Sequence, residues 1–361
     1  MKNGKVRVLV VDDSAYNRRT IIRFLQEMEG VEVVGYAVNG EEGLRKVFDL
    51  KPDLITLDLE MPRMDGFSFL RILMQNRPTP VIVVSARADD QNVFRALEFG
   101  AVEFVAKPSA QISPELFNIR DDLVRKVCEV AGADMKKVLG RAAGTAGGAA
   151  GEYKGVVRKG QRLAGKKGAP PRFEAVVIGA STGGPPALQA IFSAIQHRPG
   201  IRFAVSQHMP PGFTHAFAER LNKFTALDVK EAENGDLFAP DRVLIAPGGK
   251  NLVFRRLGED IVAQVVDPSP DQRYTPSVDV MFRSASEIFG SSLLGVVLTG
   301  MGNDGARGAR LINDRGGCVI AESEETSVVF GMPKEAIATG SIDRVVPLNG
   351  ICREIFRRCG V

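Results

Sequence analysis

Residues 292–308, SLLGVVLTGMGNDGARG, run an apolar stretch into a glycine-rich turn and then into a helical pattern. A buried strand that ends in such a turn and feeds a helix is the repeating unit of a parallel α/β sheet, because parallel neighbours need a crossover between them. The same stretch spells Gly300-x-Gly302-x-x-Gly305, the spacing of a dinucleotide-binding turn. Glu322 stands about twenty residues on, where a ribose-binding acid belongs. Two readings compete: a cofactor loop, or a turn that delivers Asp304 to the end of a strand.

Outward from this unit the same grammar repeats. Toward the N-terminus, VRVLVV, VEVVGYA, DLITLD, PVIVVS and VEFVAK alternate with amphipathic stretches, which predicts a five-stranded parallel sheet with helices on both faces. Toward the C-terminus, EAVVIGA, IRFAVSQ, LDVKEA, RVLIAPG, SLLGVVLTG, CVIAES and DRVVP predict a second, doubly wound and mostly parallel α/β domain. Within it, residues 241–267 carry Gly-Gly and Gly-Glu-Asp punctuation, which predicts antiparallel hairpins inserted in the sheet.

Between the two halves, residues 141–171 are rich in Gly, Ala and Lys and poor in large apolar side chains, so they cannot bury enough surface to fold alone. The expected organisation is a first domain at 1–125, a linker at 126–171 and a second domain at 172–361. The basic balance is local. Residues 136–172 hold ten basic residues against one acid, while elsewhere acids outnumber bases by 42 to 37, so composition does not imply a nucleic-acid partner. The four cysteines show no metal-ligand spacing, which predicts reduced thiols. No apolar run approaches the roughly 18 residues of a spanning helix. A soluble, cytoplasmic protein without membrane insertion is expected.

In the first half, the carboxyl ends of the predicted strands carry Asp12 and Asp13, Asp58, Ser85 and Lys107. Ligands of parallel sheets gather at that edge. Three carboxylates meeting there repel one another unless a hard cation such as Mg²⁺ sits among them, and a lysine with a hydroxyl would hold the oxygens of a phosphoryl group on Asp58. These residues, within VVDDS, LDLEMPRMDG and AKP, closely resemble a two-component receiver domain of flavodoxin-like fold over residues 5 to about 125. The resemblance implies that Asp58 is the phospho-acceptor, with a histidine kinase as phosphodonor. It places Mg²⁺ among Asp13, Asp58 and the Glu60 carbonyl, assisted by Asp12, and gives Lys107 and Ser85 the phosphoryl oxygens. It also makes Phe104 a switch aromatic, drawn inward with Ser85 on phosphorylation, and implies a cis Lys107-Pro108 peptide.

In the second half, VVIGASTGGPPAL places Ser181 in a small-residue turn between a buried strand and a helix. A serine there is more often a helix cap than a nucleophile. A base is sought among His197, His208 and His215. The first lies at a helix end and the third inside an amphipathic run, whereas His208 directly follows the strand IRFAVSQ. Asp304 also follows a strand, so three strand ends bring nucleophile, base and orienter to one edge. A carboxylate inside the 300–305 turn would compete with a pyrophosphate for the helix N-terminus, and the turn comes late in its domain. The cofactor reading loses ground, and the N–H of Met301 becomes a candidate oxyanion donor.

The set GASTGGP, QHMPPGFT, LTGMGNDGARG and VVFGMPKEA, behind a receiver and a linker, resembles the chemotaxis response-regulator methylesterases of the CheB family. That resemblance implies hydrolysis of glutamate methyl esters on methyl-accepting chemoreceptors, and deamidation of receptor glutamines, with no cofactor for hydrolysis. It assigns Ser181 as nucleophile, His208 as base, Asp304 as orienter, and Thr182 and Met301 as the border of the oxyanion site. It further implies activation by phosphorylation: a tether of some thirty residues would keep even a weak contact between receiver and hydrolase populated.

Overall fold

The computed structural model describes residues 5–85, 91–107, 114–131, 135–138 and 173–360, leaving aside the side chains of Gln91 and residues 114–119. The chain divides into two compact units, one in each half. The expected cis Lys107-Pro108 bond and the segment 139–172 lie outside the described residues.

In the first unit, β1 (Val6–Val11), α1 (Ala15–Gln26), β2 (Val31–Ala37), α2 (Gly40–Leu50), β3 (Leu54–Asp58), α3 (Gly66–Asn76), β4 (Val81–Ser85), α4 (Gln91–Glu98), β5 (Glu103–Ala106) and α5 (Pro114–Val130) follow in strict alternation. The strands form one parallel sheet in the order β2-β1-β3-β4-β5. β3 and β4 are buried along their whole length, as two-sided burial demands of central parallel strands. Ser14, Asn39 and Asp65 each accept a backbone N–H as N-caps, so α1, α2 and α3 start where the strand-end turns release the chain. One boundary differs from expectation. α5 continues to Val130 and buries Lys126, Val127 and Val130, so a linker beginning at 126 would cut a packed helix.

The second unit contains β6 (Ala175–Ala180), α6 (Gly184–Ser193), β7 (Arg202–Gln207), α7 (Phe213–Asn222), β8 (Asp228–Glu231), β9 (Arg242–Ile245), β10 (Asn251–Leu257), β11 (Asp260–Val266), α8 (Val278–Phe289), β12 (Leu293–Val297), α9 (Ala306–Asp314), β13 (Cys318–Glu322), α10 (Met332–Ala338), β14 (Arg344–Val346) and α11 (Leu348–Cys359). Seven strands pair in the order β14-β13-β12-β6-β7-β9-β8, every pair parallel. The expected hairpins reduce to one. β9 belongs to the parallel sheet, and only β10 and β11 pair antiparallel, as a separate two-stranded ribbon.

That ribbon is docked rather than inserted. Phe254 of β10 stacks on Phe238 with centroids 4.4 Å apart, and Phe289 of α8 meets Phe238 edge-on at 5.9 Å. Each such pair adds about 0.5–1.5 kcal/mol beyond simple burial. Ser284 of α8 also bonds both the N–H and the carbonyl of Phe254. The ribbon therefore fixes α8, and through it the segment 267–277 that crosses the carboxyl edge of the sheet. Sheet order puts β12, β6 and β7 side by side at the centre, so the residues that follow them share one edge.

Candidate functional site

At the carboxyl edge of the first sheet, carboxylate oxygens of Asp12, Asp13 and Asp58 lie within 4.8 Å of one another. Lys107 Nζ donates to Asp58 Oδ2 at 2.6 Å, and the Glu60 N–H donates to Asp58 Oδ1 at 3.2 Å. Ser85 is buried at the end of β4, where its carbonyl accepts the Lys107 N–H. Burial first, then the charge of Asp58, pushes the Asp12 carboxyl up to about 7, and its Oδ2 is buried without a hydrogen-bond partner among the described residues. Burial also raises Asp58, against the opposing pull of Lys107. An orphaned carboxylate oxygen amid three crowded acids fits a hard, oxygen-seeking divalent cation.

Phe104 lies inside, 1% exposed, edge-on to Phe94 at 6.0 Å and beneath Lys126 Nζ at 4.8 Å, the inward position expected of a switch aromatic after phosphorylation. The apolar floor and the buried cation hold the ring in, and Lys126 is itself retained by Glu103 and Asp122.

At the edge of the second sheet, β6 and β7 run in register through Ala180 and Gln207, so the next residues, Ser181 and His208, are neighbours on adjacent strands spaced about 4.8 Å apart. The Ser181 N–H donates to the Thr299 carbonyl beyond β12, which ties in the third strand end. Ser181 does not cap the helix that follows it: the N-cap of α6 is Gly183, with no side-chain cap bond. His208 Nε2 lies 2.8 Å from Asp304 Oδ2, both residues being buried. His208 Nδ1 is buried with no hydrogen-bond partner among the described residues, so the serine hydroxyl is not bonded to it in this state.

Asp304 receives more than the imidazole. Val278 N–H donates to Oδ2 at 2.7 Å, Asp279 N–H to Oδ1 at 2.9 Å and Ser277 Oγ to Oδ1 at 3.0 Å. Burial alone would raise this carboxyl, but His208 and the N-terminus of α8 outweigh it and hold Asp304 below the usual range. An anionic Asp304 accepts from Nε2–H, which leaves Nδ1 as the basic nitrogen.

The glycines of the 300–305 turn make room for this site. A Cβ on Gly300 would stand 2.6 Å from Ser181 Cβ and 2.5 Å from Met332 Sδ, and one on Gly302 would stand 2.2 Å from the Tyr274 hydroxyl. The Gly300 carbonyl accepts the N–H groups of Gly331 and Met332, which anchors the turn on α10. The exposed Met301 has no backbone partner for its N–H among the described residues. Thr182 is buried, its carbonyl accepting from Thr299 Oγ1. Glu322 is fully buried, accepting the Thr299 N–H and the Thr326 hydroxyl, so the acid suggestive of a ribose contact is a structural tie.

Comparison with known proteins gives the family. The model of the CheB methylesterase family matches residues 176–355, and that of the response regulator receiver domain matches residues 8–114. Over 99% of its length, and 98% of the relative's, the chain is 54% identical to protein-glutamate methylesterase/protein-glutamine glutaminase 3 of Geobacter sulfurreducens. The chain belongs to the CheB methylesterase family. It is also 47% identical to protein-glutamate methylesterase/protein-glutamine glutaminase 1 of Myxococcus xanthus, over 96% of this chain and 95% of that one. The solved CheB methylesterase catalytic domain of Thermotoga maritima aligns with a TM-score of 0.50 at 40% identity, covering 51% of this chain and 98% of that one.

Sequence reasoning missed Tyr274, Ser277 and Asp279, which surround His208 and Asp304. Only Ser277 left a local signal, as an N-cap residue ahead of the apolar periodicity of α8. The other histidines stay outside: His197 packs against Phe356, and His215 is exposed between Glu219 and Glu231. The four cysteines are free, and burial pushes the thiols of Cys318, Cys352 and Cys359 up to about 11 or 12, which makes them poor nucleophiles. Among the described residues, no helix is long and apolar enough to cross a membrane.

Proposed function

We propose that the chain hydrolyses glutamate methyl esters on methyl-accepting chemoreceptors, and deamidates receptor glutamines, under control of phosphorylation at Asp58. The observation that carries this reading is the His208–Asp304 pair, 2.8 Å apart through Nε2, with Nδ1 buried and unpartnered at the strand end next to Ser181. His208 Nδ1 takes the Ser181 proton as the hydroxyl attacks the ester carbonyl. The N–H groups of Met301 and Thr182 hold the tetrahedral oxyanion, where a single donor is worth roughly 3–4 kcal/mol. Methanol leaves with the proton from His208, or ammonia leaves when the substrate is a glutamine. Water, deprotonated by the same nitrogen, then frees glutamate from the acyl-enzyme. Atoms, protons and electrons balance within Ser181, His208, the substrate and one water, so the hydrolysis as written calls for no cofactor.

In the receiver, Asp58 accepts the phosphoryl group from a histidine kinase, and Lys107 with Ser85 binds its oxygens. Mg²⁺, held by Asp12, Asp13, Asp58 and the Glu60 carbonyl, would supply charge neutralisation there. The organisation that follows is a receiver ending with α5, a linker up to about residue 171, and a catalytic domain at 172–361. The chain then acts in the cytoplasm, where kinase and receptor signalling helices meet it, with no role for nucleic acid.

The test is methanol release from methylated receptor membranes. Ser181→Ala should abolish it while Asp58 still takes up phosphate from a phosphodonor. Substantial hydrolysis by that variant would remove Ser181 from the nucleophile's place.

A further inference from the structure

The imidazole of His208 has a second neighbour besides Asp304. The Tyr274 ring lies flat against it, with centroids 4.8 Å apart and planes 5° from parallel. The backbone beneath Tyr274 is pinned. Gln272 Nε2 donates to the Tyr274 carbonyl at 2.6 Å, the amides of Gln272 and buried Asn251 exchange hydrogen bonds at 2.8 and 2.9 Å, and Asn251 Oδ1 accepts the Ser277 N–H at 2.9 Å. At its far end the tyrosine hydroxyl rests over Gly302, in the turn that carries Asp304. One side chain thus touches both the base and the loop of its orienter.

We infer that Tyr274 is a positioning residue that sets the plane of the His208 ring and so aims Nδ1 at the Ser181 hydroxyl. This rests on the reading of His208 as base. The hydrogen bond to Asp304 fixes one end of the imidazole but leaves the ring free to turn about that end, and Nδ1 has no partner to stop it. A parallel aromatic face supplies the missing constraint, because turning the ring drives its edge into the tyrosine. The ribbon β10–β11 gains a purpose from this: Asn251, the first residue of β10, anchors the segment that holds the stack. Reaction geometry tolerates little error, and a 1 Å misplacement costs on the order of 10²-fold in rate.

The experiment compares Tyr274→Phe, Tyr274→Leu and Tyr274→Ala in the full chain, by steady-state methanol release and by ¹⁵N NMR of the His208 ring. Phenylalanine keeps the flat face, whereas leucine keeps the bulk without it. The expected result is kcat within about twofold of the parent for Phe and about tenfold or more below it for Leu and Ala, with KM changed less than about twofold. Asp304 holds the Nε2–H tautomer in all four proteins, so the ring ¹⁵N signals should be sharp in parent and Phe and broadened by motion of the ring in Leu and Ala. Parental kcat and sharp ring ¹⁵N signals in the Leu variant would overturn the proposal. So would equal losses in Phe and Leu, which would shift the role to the hydroxyl. Ser181→Ala run in parallel separates the two levels: its activity tests the reading of the site, while the ring ¹⁵N line shape tests the stack whatever that activity is.

Discussion

Asp304 and Asp279 each bind the N-terminus of the helix that belongs to the other. Asp304, which precedes α9, accepts the first N–H groups of α8, and Asp279, in the first turn of α8, accepts the N–H groups of Gly305 and Gly308 at 2.9 and 2.7 Å. Free N–H groups and the positive end of the helix dipole make both positions attractive to anions. The exchange holds two helix ends against each other across the strand edge, and it fixes the carboxylate that faces His208. It also fills the helix end that a dinucleotide phosphate would need.

Asp304→Asn should therefore lower kcat by roughly 10²- to 10⁴-fold while leaving the enzyme measurably more active than Ser181→Ala. An amide cannot accept from Val278 N–H and His208 Nε2–H on its nitrogen side. With that side toward His208 it donates to Nε2, which favours the tautomer that protonates Nδ1 and removes the base; turned the other way, it leaves the N–H groups on the Oδ1 side without an acceptor. The loss of good acceptors should also cost about 1–3 kcal/mol of stability, read from thermal melts. Parental kcat in this variant would remove Asp304 from the mechanism.

Asp279 gives a pH dependence of known sign. Burial first raises its carboxyl to about 6, the nearby charge of Asp304 adding to the effect against the pull of the two glycine N–H groups. Its ordinary value is near 4, so between about 4 and 6 the folded state holds a proton that the unfolded state has lost. The stabilising contribution is complete below that window and disappears as pH rises through it. Asp279→Asn keeps an acceptor oxygen for both glycines without the charge. Its melting temperature relative to the parent should rise from pH 4 to pH 7, by the equivalent of about 1–2 kcal/mol. A variant that loses ground over that range would show that the ionised form is the better helix partner.

How far the site could be read from the sequence depended on where each residue sits along the chain. Asp58, Lys107, Ser181, His208 and Asp304 all follow apolar runs, and a parallel sheet gathers such positions at one edge, so period and position located them. Tyr274 and Asp279 follow no strand. They reach the site because the ribbon β10–β11 docks on α8 through Phe254 and Ser284, a tertiary event with no local periodicity. The same limit explains β9: its apolar run reads equally as a hairpin arm or a parallel strand, and pairing with β7 and β8 decides it. Phe104 was placed by its spacing from Lys107, but whether it lies in or out depends on Lys126, more than twenty residues on.

The acidic edge of the receiver predicts a metal response. Asp12, Asp13 and Asp58 crowd within 4.8 Å and Asp12 Oδ2 has no donor, so their mutual repulsion opposes folding until a cation screens it. Asp12→Asn should raise the melting temperature of the metal-free receiver unit, by the equivalent of about 1 kcal/mol, and blunt the further rise that Mg²⁺ gives the parent. Chelation with EDTA should reverse that rise in the parent. Equal Mg²⁺-induced shifts in the two proteins would place the cation elsewhere.

Gly300→Ala separates the two meanings of the Gly-x-Gly-x-x-Gly spacing. In a dinucleotide turn such a glycine lets the backbone approach a pyrophosphate, and its loss would be felt as weaker cofactor binding. Here a methyl group at Gly300 would stand 2.6 Å from Ser181 Cβ and 2.5 Å from Met332 Sδ. Methionine can yield because its side chain has several rotors, but Ser181 cannot, held as it is by its N–H bond to Thr299 and by the turn into α6. The strain therefore moves the turn, and with it the Met301 N–H, away from the ester. Overpacking of this kind costs about 1–3 kcal/mol in stability. Loss of one oxyanion donor costs about 10²–10³ in kcat. Gly300→Ala should thus stay folded by circular dichroism, phosphorylate normally at Asp58, and release methanol at least about a hundredfold more slowly than the parent. A variant with parental turnover would mean that the turn can shift without disturbing the oxyanion site, and that Met301 is no part of it.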